Sequence, residues 1–140
     1  MDDLLFPANM PAITGENTGQ VRALVEIPHQ WGVNSLAISP DGLRLASAYE
    51  VVRVFEMATG EQTASLQGGE GVAQDVIFSP DGALIAVASS DGAVRLWAAN
   101  AGVQMGVLRA SRTVLTSVAY SPDGSWIAAG SGNYAGEPSD

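Results

Sequence analysis

The chain has no cysteine, and its 140 residues include six arginines, no lysine and one histidine. Without Cys there are no disulfides, thiolate nucleophiles, iron–sulfur clusters or Cys-based zinc sites. A single His excludes a multi-histidine metal or acid/base centre within one chain. Charge is sparse, at 15% of residues, and largely of one sign: fifteen Asp plus Glu against six Arg give a formal charge of −9 and a pI near 4.3. That sign opposes binding to a phosphate backbone, so nucleic acid is not an expected partner. Long apolar runs are missing too. No stretch of about eighteen apolar residues could span a bilayer, and the acidic opening Met1-Asp2-Asp3-Leu4-Leu5-Phe6-Pro7 lacks the apolar core of a secretory signal. A cytoplasmic protein with no membrane partner is therefore expected. The 46% of hydrophobic residues is too many for disorder.

What is present is a repeat. Ser-Pro-Asp-Gly occurs at 39–42, 79–82 and 121–124, spaced by 40 and 42 residues. Each copy separates two apolar runs: Val33 to Ile38 from Leu43 to Ala48, Val72 to Phe78 from Ala83 to Ala88, and Val114 to Tyr120 from Trp126 to Ala129. Pro presets φ, Asp tolerates the bridge region and Gly takes the left-handed conformation, so each tetrapeptide predicts a hairpin turn. In the middle unit Ser89-Ser90-Asp91-Gly92 introduces a third run, Ala93 to Trp97, and Ala101-Gly102 a fourth, Val103 to Leu108. The first unit follows the same course with Val51 to Phe55 and Gln62 to Leu66. No segment sustains an apolar period of 3.6, so helix bundles and βαβ folds are excluded. The expected unit is a four-stranded antiparallel meander.

Thr18 to Val25 aligns with Thr59 to Leu66, which predicts an isolated fourth strand over 18–28 after an extended lead-in over 1–17. Whole units are expected over 29–68 and 69–110, and a partial one over 111–140, where the tail after Gly130 lacks a further β-former run.

The stretches Val33 to Gly42 and Ser90 to Trp97 resemble the WD-repeat β-propeller family, in particular its bacterial members. The resemblance covers roughly residues 18–134 and implies four-stranded blades set radially around a channel. It also implies a stabilising network of a His before the first strand, a Ser or Thr on the second, an Asp in the following turn and a Trp on the third. On this chain the matching positions are His29 and Ser47 in the first unit and Ser89, Asp91 and Trp97 in the second. Phe55 replaces the Trp of the first unit, while Gly69 and Ser111 stand where the later units would carry His.

The fold expected is thus an all-β propeller of four-stranded antiparallel blades. It is an incomplete one: about two full blades, an N-terminal strand and half a third blade. A ring of about four or more blades needs a longer chain, so the remaining blades of the same protein, or further copies of the chain, are expected to complete it. The resemblance implies a non-catalytic scaffold that binds protein or peptide, with no cofactor and no metal. Partner contacts of the family transfer to Gly32 and Asn34, to Val72, Gln74 and Ser90, and to Val114 and Thr116, and Trp31 adds an aromatic candidate on the same rim. Trp97 and Trp126 are expected to be packing residues. Two further readings stand beside this one: a propeller enzyme or ligand-binding domain whose active residues lie in other blades, and a self-assembling module that closes a ring by oligomerisation. Among first-strand residues only Asp75 is charged.

Overall fold

The structure, a computed structural model, describes residues 12, 14–16, 18–20, 29 and 32–132. Thr18–Gln20 form a single 3-10 turn. Most of the expected lead-in, residues 21–28 of the expected isolated strand, Trp31 and the tail from Asn133 lie outside the described residues.

Among the described residues, ten strands form three antiparallel sheets. The first holds β1 (Ser35–Ile38), β2 (Arg44–Ala48), β3 (Val52–Glu56) and β4 (Gln62–Leu66), in that order. The second repeats the meander with β5 (Ala73–Phe78), β6 (Leu84–Ser89), β7 (Ala93–Ala98) and β8 (Val103–Arg109). The third pairs β9 (Leu115–Tyr120) with β10 (Ile127–Ser131). Each sheet begins with the same hairpin, built by the repeated tetrapeptide. Ser39 donates its hydroxyl to Asp41 Oδ1 at 2.5 Å, the Leu43 amide donates to the same oxygen at 3.0 Å, and Ser39 Oγ accepts from the Arg44 amide at 2.9 Å. Ser79 and Asp81 repeat these bonds at 2.6, 3.0 and 2.9 Å, and Ser121 and Asp123 at 2.6, 3.1 and 2.9 Å. The closing glycines Gly42, Gly82 and Gly124 have φ of 74°, 73° and 75°, which a side chain would strain.

The first three strands of the middle sheet, β5 to β7, are buried on both faces, which explains their nearly continuous apolar runs. Alternation along β6 sends Ile85 and Val87 toward the first sheet and Ala86 and Ala88 toward the third. Ile85 and Val87, with Trp97, Val76 and Phe78, pack on Ala46, Ala48, Val52 and Val54, and Ala86, Ala88 and Val94 pack on Leu115 and Val118. Each such Val, Leu, Ile or Phe side chain removed from water contributes about 1.5–3 kcal/mol. The first strands lie against one another, β1 on β5 and β5 on β9.

Three apolar surfaces remain open among the described residues, one of them along β8, where Val103, Met105, Val107 and Leu108 are exposed. Leu36 and Ile38 of β1 are 59% and 58% exposed, although their repeat equivalents Val76 and Phe78 are 3% and 5% exposed against the preceding sheet. At the other end Trp126 is 76% exposed. Its expected packing role is therefore not what the structure shows. Trp126 stands at the repeat position of Arg44 and Leu84, whose side chains reach toward the following sheet, and no described sheet follows it.

Candidate interaction surface

At the end of the sheets opposite the Ser-Pro-Asp-Gly turns, two different arrangements hold the connections between sheets. In the first, His29 Nε2 lies 2.9 Å from Ser47 Oγ, and its ring meets Phe55 edge-on at 5.8 Å between centroids. In the second sheet Gly69 replaces the histidine, and an arginine fills the space. Arg95 Nη2 donates to Asp91 Oδ2 at 2.6 Å and its Nη1 to Asp91 Oδ1 at 3.2 Å. Its guanidinium occupies the volume that any Cβ at Gly69 would need, and Gly69 has φ of 78°. Hydrogen bonding from Arg95 is the main cause that holds the Asp91 carboxyl below its ordinary value, with the Ala93 amide adding to it. Arg95 is 6% exposed, so this ion pair is largely withdrawn from water.

Cross-strand register also locates the serines. Ser47 faces Arg53, and Val87 faces Arg95, so Val87 holds in β6 the place that Ser47 holds in β2. Ser89 lies two residues beyond it, pairs with Ala73, and its buried hydroxyl is a minor contributor to the lowered Asp91 carboxyl. It borders a cleft of about 20 Å³ shared with Arg95, Trp97 and Gly71. Trp97 itself is 6% exposed and packs between the first two sheets.

One carboxylate ties all three sheets together. Asp75 Oδ1 accepts the Ser35 hydroxyl at 2.6 Å, and Asp75 Oδ2 accepts the Val118 amide at 2.8 Å. Ser35 is on β1 and Val118 on β9, so the side chain spans the first strands of both neighbours. A bulge between Ala73 and Asp75 sets Asp75 in this position, opposite Ala88. Of the rim residues, Asn34 donates through Nδ2 to the Ala73 carbonyl at 3.0 Å, which ties it to the next sheet. Val72 and Ser90 bond each other, the Val72 amide to Ser90 Oγ at 2.8 Å and the Ser90 amide to the Val72 carbonyl at 2.9 Å. Gln74 sits in the bulge and is half-buried, Gly32 is exposed, and the Val114 carbonyl accepts from Gly132. Thr116 is exposed, its hydroxyl 3.4 Å from the Gly130 carbonyl. The rim candidates are thus brought to one end of the sheets, and Asn34, Val72 and Ser90 are already engaged there.

The family model for the WD domain, G-beta repeat, matches residues 19–50, 60–98 and 102–134, about three quarters of the chain. The chain belongs to the WD40 family. None of the curated proteins matches the sequence. The WD40 match 60–98 runs from β4 through β7, so the sequence repeat is offset by one strand from the sheet and straddles two blades. WD40 repeats generally mediate protein–protein interaction.

At the turn end of these WD40 blades, successive tetrapeptides stack. A Cβ on Gly82 would meet Pro40 at 3.5 Å, and one on Gly124 would meet Pro80 at 3.6 Å. Hydrogen bonds to the carboxylates, with the Ser39, Ser79 and Ser121 hydroxyls first, hold Asp41, Asp81 and Asp123 below the usual carboxylate range, Asp123 at about 2. Between the first two turns lies Arg44, which donates to the Gly82 carbonyl at 3.2 Å and to Asn100 Oδ1 at 3.1 Å and stands 5.5 Å from the Phe78 ring centroid. Between the second and third turns there is instead a cavity of about 380 Å³. Among the described residues no group of three or more His, Cys, Asp or Glu is gathered to hold a metal ion. Sequence reading set the candidates at the rim and missed this end. The available signal was the change from Arg44 to Leu84 at one repeat position.

Proposed function

We propose that the chain is a non-catalytic WD40 scaffold that binds protein or peptide partners on the exposed ends of its blades. The observation that carries this reading is the engagement of Asp75. The one charged side chain on the first strands has both carboxylate oxygens bound to neighbouring blades, and so serves as a rivet within a fixed frame. A fixed frame with variable blade ends suits recognition, because ordering is completed on folding and little is lost on binding.

Selecting displayed peptides on the 140-residue chain tests it. Peptides that bind are expected to lose at least about tenfold in affinity, about 1.4 kcal/mol, on Gln74→Glu or Thr116→Arg, or on a change at the turn end. Melting temperature should stay unchanged. Failure to select any saturable binder contradicts the reading.

A second reading is favoured by the exposed Leu36 and Ile38, whose equivalents in the next blade are covered. In that reading another sheet of the same kind, from a larger ring or a further copy of the chain, packs on this face. Dilution-dependent mass in analytical ultracentrifugation, abolished by Leu36→Glu, is the expected result for a further copy. A monomer at all concentrations contradicts that occupant.

A further inference from the structure

The pocket between the second and third turns is the vacated counterpart of a site that the protein fills for itself one repeat earlier. Three relationships carry over position by position. Leu84 takes the place of Arg44, Tyr120 that of Phe78, and the Gly124 carbonyl that of the Gly82 carbonyl. At the first junction the Arg44 guanidinium lies over the Phe78 ring and donates to the Gly82 carbonyl, and its charge is one of the causes that lower Asp41. At the second junction Leu84 has no cationic head to place there. The cavity of about 380 Å³ is lined by Ser79, Asp81, Leu84, Tyr120, Asp123 and Gly124. The Tyr120 hydroxyl is buried without a hydrogen-bond partner among the described residues. Desolvation, and then the charge of Asp81, raise its pKa. Asp81 therefore projects negative potential into a pocket with an aromatic face and no cation. Asp81, Asp123 and Gly124 are exposed, so a group from outside can enter.

We propose that this pocket binds the guanidinium group of an arginine side chain presented by a partner peptide, in the arrangement that Arg44 shows at the junction before it. This rests on the peptide-binding reading and adds the side chain that is recognised. A planar guanidinium fits better than an ammonium group, because it can lie flat on the Tyr120 ring while its edge donates to the Gly124 carbonyl. The formal charge of −9 favours the approach of a cationic segment.

The test is an NMR titration of the ¹⁵N-labelled 140-residue chain with Nα-acetyl-arginine methylamide, and with the citrulline analogue as its neutral isostere. Saturable shifts at the Tyr120, Gly124 and Ser125 amides are expected with the arginine compound, and binding at least about tenfold weaker with citrulline, as loss of a charge-assisted and cation–π contact implies. Leu84→Arg supplies the missing guanidinium internally. It should abolish these shifts while melting no lower than the wild type. Tyr120→Leu, which keeps an apolar filling but removes the ring face, should weaken binding several-fold. Equal binding of the two compounds, or wild-type binding by a folded Leu84→Arg, overturns the proposal. A selected peptide that binds Leu84→Arg as well as wild type overturns the arginine pocket while leaving the scaffold reading intact. A chain that binds the arginine compound but selects no peptide contradicts the scaffold reading instead.

Discussion

The guanidinium of Arg95 fills the space above Gly69 that a side chain at that position would occupy. Where the first blade places His29 against Ser47, the second has exchanged the pair for Arg95 against Asp91 and has become dependent on a glycine in the connection. In the first blade a residue of the connection bonds the sheet, whereas in the second the ion pair lies within the sheet and packs beneath Gly69.

Gly69→Ala should therefore destabilise the protein by about 2 kcal/mol, since it adds both a left-handed alanine and an overlap with Arg95. Arg95→Ala should cost about 2 kcal/mol by leaving Asp91 unpaired. In urea denaturation the double variant is expected to cost less than the sum, by about 1 kcal/mol, because removal of Arg95 relieves the overlap. Strict additivity would show that the two residues do not share this space.

Acid sensitivity follows from the turns. The folded-state pKa of Asp123 is about 2, below its ordinary value of 3.8, so its stabilising bonds are fully present above about pH 4 and are lost as pH falls through 2. Asp41 and Asp81 shift in the same direction. Carboxyl-carbon NMR should give Asp123 a titration midpoint near 2, with thermal stability level from pH 7 to 4 and declining below. A midpoint near 3.8 would mean that the Ser121 and Ser125 bonds do not form.

The tryptophans separate packing from surface. Trp97→Ala should cost about 3–5 kcal/mol, as truncation of a buried aromatic does. Trp126→Ala should change stability by no more than about 0.5 kcal/mol in dilute solution. A comparable loss at both positions in thermal melts would contradict the exposed placement of Trp126.

The strands and turns were legible because their causes are local. Ser39, Asp41 and Gly42 make their own hairpin from neighbouring atoms, so three copies of the tetrapeptide announce three hairpins. Asp75 was visible as the one charged residue on the first strands, but its partners were not. Ser35 and Val118 are 40 and 43 residues away, about one repeat, and in stacked sheets residues one period apart become neighbours. The arginine at Gly69 was hidden for a different reason: alignment by residue type paired Ser47 with Ser89, whereas register pairs Ser47 with Val87 and so brings Arg53 and Arg95 into equivalence. Arg44 was hidden similarly, because its aromatic and carbonyl partners belong to the next blade.

That the three described sheets form one frame riveted by Asp75 is tested most directly by amide hydrogen exchange at Val118, with and without Asp75. In the wild type this amide should be strongly protected, and in Asp75→Ala its exchange should quicken by at least about tenfold, while amides within the β6–β7 ladder change little, since an unpaired buried donor forfeits about 1–3 kcal/mol. Equal Val118 exchange in the two proteins would contradict the riveted frame.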